Sequence, residues 1–144
     1  MKATYTNDYI VSLYDQDDIA AMKNIEIINA EYGDRIEGII RYAQLAGYKK
    51  IGIAHCISYT HEARHLASAL KAHFKVVSVD CKVGHIQRGV LLKEGFGASC
   101  NPVLQATYLN QEETDLNVVL GLCLGHDILF TKYSKAPSTT LYVK

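Results

Sequence analysis

Three cysteines stand at the ends of apolar runs that have the character of buried strands. Cys56, Cys81 and Cys123 close such runs, and Cys123 is followed by Gly-His-Asp at residues 125–127. A short apolar run bounded by turn residues is typical of a buried parallel strand, and ligands bind open α/β sheets at the carboxyl ends of their strands. The sequence therefore predicts that three thiols share one edge of one sheet.

The fourth cysteine, Cys100, stands immediately before Asn101 and Pro102, which together form a typical helix start. A helix N-terminus favours the thiolate, the form of cysteine that binds metals or attacks electrophiles. Four thiolates suit tetrahedral zinc or an iron–sulfur cluster, and three thiolates with His126 or His55 would also suit zinc. The sequence thus predicts zinc or an iron–sulfur cluster, with these ligands: Cys56, Cys81, Cys100, Cys123 and His126.

Three other interpretations of the same residues stay open. Cysteine is among the most frequently buried residues, so some of these thiols could simply be core residues. In a thiol-dependent enzyme, Cys123 would be the nucleophile and His126 the acid/base. In a non-catalytic binding module, a crevice beside the glycine-rich loop from Gly84 to Gly97 would take a small ligand. The sequence does not decide whether the protein is an enzyme.

The segment from His61 to His65 reads His-Glu-Ala-Arg-His, which matches the zinc protease pattern. The pattern is short, and no third ligand is apparent from the sequence. A solvated face of a helix is the better interpretation. The chain has no P-loop and no Gly-x-Gly-x-x-Gly fingerprint, so a nucleotide-binding function would rest on fold alone.

Composition excludes several classes of partner. Fifteen basic and fifteen acidic side chains give the 144-residue chain no formal net charge, so nothing points to nucleic acid or to an anionic membrane surface. The apolar stretches are too short to span a membrane, and the polar N-terminus lacks the core of a signal peptide. We therefore expect a cytoplasmic protein with reduced thiols, whose partners are a metal or a small molecule. Homo-oligomerisation is left open.

Helix-like and strand-like segments alternate along most of the chain. We expect a single domain over residues 15–144, preceded by an N-terminal arm at 1–14, and a functional loop at 82–99 with a short helix near 87–93. The helices are predicted near 17–32, 34–47, 59–73, 101–111 and 125–133. The strands are predicted at 50–54, 75–80, 116–121 and 139–143.

Strands that alternate with helices imply right-handed crossovers and parallel pairing. The prediction is an α/β three-layer sandwich with a four-stranded, mostly parallel, Rossmann-like sheet in the order 2-1-3-4, preceded by two helices. The topological switch then falls between the first and third strands. This order places Cys56 and Cys123 on either side of the crevice.

Several short blocks together resemble one family, the prokaryotic domain of unknown function 1847. The likeness covers residues 34 to 144 approximately and does not depend on any single motif. The blocks are Ile51–Cys56 with Glu62-Ala63, Val77–Gly84, Cys100–Pro102, Gln105-Ala106, Leu109-Asn110, Thr114–Asn117, Gly121–Asp127, Lys132–Ser134, Ala136-Pro137 and Val143-Lys144.

Members of that family are usually described as predicted metal-binding proteins, so the resemblance implies a metal site and no defined reaction. The family pattern includes all four cysteines of this chain and His126, whereas His61 and His65 do not belong to it. Two differences are visible. Family members generally begin with a cysteine-rich segment, and residues 1–33 contain no cysteine. They also continue beyond the position of Lys144.

Overall fold

The computed structural model describes residues 4–31 and 33–144 of the chain. The chain forms two compact units, residues 1–47 and residues 48–144. Within the described residues, no helix combines the length and the apolar character that crossing a bilayer requires. The division into an arm at 1–14 and one domain at 15–144 stays a prediction.

The first unit is helical. It contains α1 (Asn7–Ser12), α2 (Gln16–Glu31) and α3 (Arg35–Leu45). Asp34 caps α3, because its carboxylate accepts hydrogen bonds from the backbone N–H groups of Ile36 and Glu37. The last residue predicted for the preceding helix, Tyr32, lies outside the described residues.

Three helices, one more than the two predicted, therefore precede the sheet in the described chain. The additional helix, α1, lies in the predicted arm. The Thr6 hydroxyl at its N-terminus accepts a hydrogen bond from the Tyr9 N–H at 3.2 Å, and α1 buries none of its residues. A short helix that is stabilised by its cap, and not by an apolar face, leaves no periodic signal in the sequence.

The second unit is built on a four-stranded sheet. Its strands are β1 (Lys50–His55), β2 (Lys75–Asp80), β3 (Leu116–Leu120) and β4 (Ser138–Tyr142). All neighbouring strands pair in parallel, and their order is β2-β1-β3-β4. The predicted α/β class and strand order are confirmed.

Helices flank this sheet, namely α4 (Thr60–Lys71), α6 (Pro102–Gln111) and α7 (His126–Tyr133), and the short α5 (Arg88–Leu91) lies in the loop after β2. A buried cluster joins one face of the sheet to α6 and α7. It consists of Ala54, Val79, Ala106, Leu109, Val119, Leu122 and Phe130. Side chains alternate along a strand, so the buried Ile51 and Ile53 point to the other face. α4 contacts β1 and β2 and buries an apolar stripe of its own.

Candidate cysteine site at the carboxyl edge of the sheet

The four cysteines lie around the carboxyl edge of the sheet, and all four are free thiols. Cys56 directly follows β1, Cys81 directly follows β2, Cys123 comes shortly after β3, and Cys100 shortly precedes α6. Backbone hydrogen bonds connect these segments. The Cys56 N–H donates to the carbonyl of Leu120 in β3 at 3.1 Å, and the N–H of the residue after Cys100 donates to the Cys81 carbonyl at 2.8 Å.

The Cys56 thiol is activated by its hydrogen-bond donors. Its side chain is 7% exposed. The Ser58 hydroxyl donates to its sulfur at 3.1 Å, and the Lys144 ammonium group donates to it at 3.2 Å. Burial disfavours the thiolate, but these donors, the Ser58 backbone N–H and the Lys144 charge outweigh burial and lower the pKa of Cys56 to about 7. A large fraction of this thiol is therefore ionised at neutral pH.

Cys81 has the opposite character. Burial raises the pKa of its thiol to about 11, and the nearby Cys100 and Cys56 thiols add to the increase, against a hydrogen bond from the Ile57 backbone that lowers it. Two neighbouring thiols in one site thus differ widely in acidity. Cys81 stays protonated at a pH where much of Cys56 is ionised.

Two lysines place positive charge among the sulfur atoms. The Lys82 ammonium group donates to the Cys100 sulfur at 3.4 Å and to the Ala98 carbonyl at 3.1 Å. The Lys144 ammonium group also interacts with the Cys123 side chain. The hydrogen bond to Cys56 raises the pKa of Lys144 most, and the hydrogen bond to Cys123 adds to this increase. Lys144 therefore links the thiols that follow β1 and β3, and its charge favours the thiolate of Cys56.

The histidines occupy different surroundings. The His126 backbone N–H donates to the Cys123 carbonyl at 2.9 Å, while its side chain lines a cavity together with Cys100. In the described chain no hydrogen bond joins the His126 ring to the Cys123 thiol. His55 is buried, with Nδ1 2.8 Å from the Cys56 carbonyl. His61 and His65 are exposed on α4.

The donor types at the edge fit zinc or an iron–sulfur cluster, since four reduced thiols and two charge-neutralising lysines are present. The arrangement is not that of a formed metal site. Among the side chains of residues 4–31 and 33–144, no group of three or more His, Cys, Asp or Glu residues is placed so that it could hold a metal ion.

Gln105 is a site residue that the sequence did not single out. Its side chain is fully buried in α6, and its amide nitrogen donates to the carbonyls of His55 at 3.2 Å and Val79 at 3.1 Å. It thereby ties together the ends of β1 and β2, from which Cys56 and Cys81 follow. No residue of the described ranges donates a hydrogen bond to its buried amide oxygen, which is uncommon for a buried polar atom.

The sequence also did not indicate three further site residues, namely Ser58, Lys82 and Lys144. Ser58 and Lys82 are close to cysteines in the sequence, but serine and lysine are common residue types and do not by themselves indicate a site. Lys144 is separated from Cys56 by 88 positions, so only the fold brings the two together. The loop after β3 is shaped by Gly121, which has φ 63° and packs against the Tyr59 ring.

Comparison with known proteins identifies similar sequences but no described activity. Residues 2–141 match the family described as "Protein of unknown function (DUF1847)", so the similarity begins well before residue 34. The chain is 53% identical over 115 residues to an uncharacterised protein of Methanocaldococcus jannaschii, and the match covers 76% of this chain. The chain spans 60% of the length of that relative. No solved structure matches it.

Proposed function

We propose that this chain, which belongs to the DUF1847 family of proteins of unknown function, binds zinc or an iron–sulfur cluster through its cysteine thiols. One observation carries the proposal. Four cysteines from four different segments lie around one edge of a parallel sheet, where α/β proteins bind their ligands. A thiol enzyme with a single nucleophilic cysteine would not need three further cysteines at the same edge.

The proposed ligands are Cys56, Cys81, Cys100 and Cys123, with His126 as a further ligand or as a group that orients one of them. Bound zinc would supply structural cross-linking or Lewis acidity, and a bound cluster would supply one-electron transfer. Persistent free thiols need a reducing compartment, so the proposal places the protein in the cytoplasm.

The two lysines have a defined part in this proposal. Metal ligation requires thiolates, and a cation near the sulfur atoms lowers the cost of losing their protons. Lys144 and Lys82 also donate hydrogen bonds to the sulfur atoms of Cys56 and Cys100. A metal would therefore replace these contacts, and its affinity would rise with pH as protons leave the thiols.

Metal analysis of the protein purified without oxygen tests this function. We expect about one zinc, or the iron and sulfide of one cluster, per chain. Each substitution Cys56→Ser, Cys81→Ser, Cys100→Ser and Cys123→Ser should lower the metal content at least tenfold, because structural sites of this kind depend on every thiolate. His61→Gln and His65→Gln are matched controls, since both remove a metal-ligating side chain from exposed positions on α4.

Protein that holds no zinc or iron in the wild-type form would contradict the proposal. So would metal that survives all four cysteine substitutions, or metal lost on His61→Gln and His65→Gln. The controls also test the zinc protease interpretation, because only that interpretation requires the α4 histidines.

A thiol-dependent enzyme is the second candidate, and the acidity of Cys56 supports it. The sequence pattern predicts Cys123 as nucleophile with His126 as acid/base. The hydrogen bonds from Ser58 and Lys144 instead favour Cys56 as the nucleophile, since they stabilise its thiolate. In this function the Cys56 sulfur would attack an electrophilic centre, form a bond to it and displace a leaving group.

The pH dependence of thiol alkylation tests this candidate. We expect the rate of Cys56 alkylation by iodoacetamide to rise with pH through a midpoint near its pKa of about 7. Lys144→Gln removes a hydrogen bond and a positive charge, so the midpoint should move upward by about one pH unit. The site of labelling is followed by peptide mass spectrometry, with Cys56→Ser as the blank.

Lys132→Gln is the control, because it removes an equal charge from α7 at a position where the ammonium group lies over the Tyr133 ring. A Cys56 midpoint near the ordinary thiol value, or one that Lys132→Gln shifts as much as Lys144→Gln, would remove the case for a specific Lys144 contact. Fast labelling at Cys123 alone would instead support Cys123 as the nucleophile, as the sequence pattern predicts.

A further inference from the structure

We propose that the cavity beside Cys100 binds a small organic anion whose charged group is held by Arg88. This site goes beyond the proposed metal function and does not depend on it. The cavity belongs to the glycine-rich loop after β2, and it has a volume of about 440 Å³. Its lining residues are Arg88, Leu92, Glu94, Gly95, Ser99, Cys100 and His126.

The cavity is a depression that is open to solvent, and its volume is that of a metabolite-sized molecule. Sites for small ligands usually have volumes of about 300–1,000 Å³ and combine apolar walls with a few polar groups. Leu92, which is 56% exposed, supplies an apolar surface at the rim, while Arg88 and His126 supply polar groups. The Cys100 thiol lines the same space, so the bound molecule would lie against the proposed cysteine site.

The backbone of the loop holds Arg88 in place. The Arg88 N–H donates to the Gly97 carbonyl at 2.9 Å, and the Ser99 N–H donates to the Ile86 carbonyl at 2.8 Å. These bonds close the base of the loop. A Cβ atom at Gly95 would make only ordinary contacts with Arg88, at 3.5 Å from its Cβ and 3.6 Å from its Cδ, so the φ of 87° is what favours glycine at this point of the loop.

The charges around the cavity favour an anion. The ion pairs of the described residues join Arg41 to Glu31 and Lys50 to Glu112, so the Arg88 guanidinium group has no carboxylate partner there. A guanidinium group matches carboxylates and phosphates with two parallel hydrogen bonds. Lys82 adds a second positive charge at the Cys100 sulfur.

Glu94 is the opposing charge on the wall. It lowers the affinity for a simple anion, and it can accept a hydrogen bond from a hydroxyl or amino group on the ligand. The expected natural ligand is therefore a small organic acid that also carries a hydrogen-bond donor.

Equilibrium dialysis of the purified protein with radiolabelled malonate tests the site. We expect about one malonate per chain, with no competition from the uncharged analogue malonamide at equal concentration. Arg88→Gln should weaken malonate binding at least tenfold, and Glu94→Gln should strengthen it about threefold. Lys93→Gln, an equal charge loss at an exposed residue of the same loop outside the cavity lining, should leave the affinity within twofold.

Competition by inorganic phosphate shows which acid the site prefers. If phosphate displaces labelled malonate at a lower concentration than unlabelled malonate does, the ligand is a phosphorylated compound. If phosphate displaces it less well, the ligand is a carboxylic acid.

Absence of malonate binding, or equal weakening by Arg88→Gln and Lys93→Gln, would overturn the site. Arg88→Lys, which keeps the charge and loses the guanidinium geometry, should bind with intermediate affinity. Metal content is measured on the same samples, so the metal proposal and the anion site can fail independently.

Discussion

Replacing Gly121 by alanine is expected to lower the free energy of unfolding by about 2–4 kcal/mol, the sum of a left-handed backbone penalty and local overpacking. Gly121 has φ 63°, and a Cβ atom there would overlap the ring of Tyr59. Tyr59 is close in sequence to Cys56, and Gly121 is close to Cys123. The substitution should therefore also separate two thiol-bearing segments and reduce the metal content.

Gly89→Ala is the matched control for this experiment. A Cβ atom at Gly89 would lie 3.6 Å from the Gly95 carbonyl oxygen, an ordinary contact, and Gly89 does not have a positive φ. We expect the control to be close to wild type in urea-induced unfolding and in bound metal. A Gly121→Ala protein with wild-type stability and metal content would show that the contact with Tyr59 does not constrain the site.

Gln105→Met is expected to have the second large effect. Methionine has a similar length but cannot donate to the carbonyls of His55 and Val79, and each buried acceptor that loses its partner costs about 1–3 kcal/mol. Loss of the unpartnered amide oxygen offsets part of this cost, so the net destabilisation should be about 2 kcal/mol. The midpoint of Cys56 alkylation should also rise, because the strand ends that precede Cys56 and Cys81 lose their shared hydrogen-bond donor, although β1 and β2 stay paired.

Leu109→Ala is the control that distinguishes a positioning role of Gln105 from a general loss of stability. Leu109 is fully buried in the same helix, α6, and its truncation should cost about 3 kcal/mol through the cavity it leaves. We expect Leu109→Ala to lower stability while leaving the alkylation midpoint of Cys56 unchanged. If both variants shift this midpoint equally, or neither does, Gln105 is an ordinary core residue.

The architecture of the second unit was accessible from the sequence because its signals are local. The runs that form β1 and β3 are fully or almost fully buried, so they appear as continuous apolar stretches. Asn101 caps α6 through its side chain, so the start of this helix is visible in the sequence, whereas Tyr59 and Gly125 before α4 and α7 make no such cap. Parallel pairing and crossover handedness then leave few arrangements, and β2-β1-β3-β4 is the observed one.

The composition of the candidate site was only partly accessible. Cysteines are rare enough for their positions after strands to be noticed. Lys144 and Gln105 are of common types, and they matter only because folding brings them to Cys56 and to the ends of β1 and β2. The difference in acidity between Cys56 and Cys81 could not be predicted from the sequence, because burial and hydrogen bonding at each sulfur atom determine it.

X-ray absorption spectroscopy of the anaerobically purified protein, at the zinc and iron edges, tests the central claim most directly. We predict a shell of sulfur ligands about 2.3 Å from the metal, which is the distance expected for cysteine thiolates on zinc. The number of sulfur atoms in that shell should fall in Cys100→Ser and stay unchanged in His65→Gln. A metal ligated only by nitrogen and oxygen, or a protein that contains neither metal, would contradict a thiolate-bound centre at this edge of the sheet.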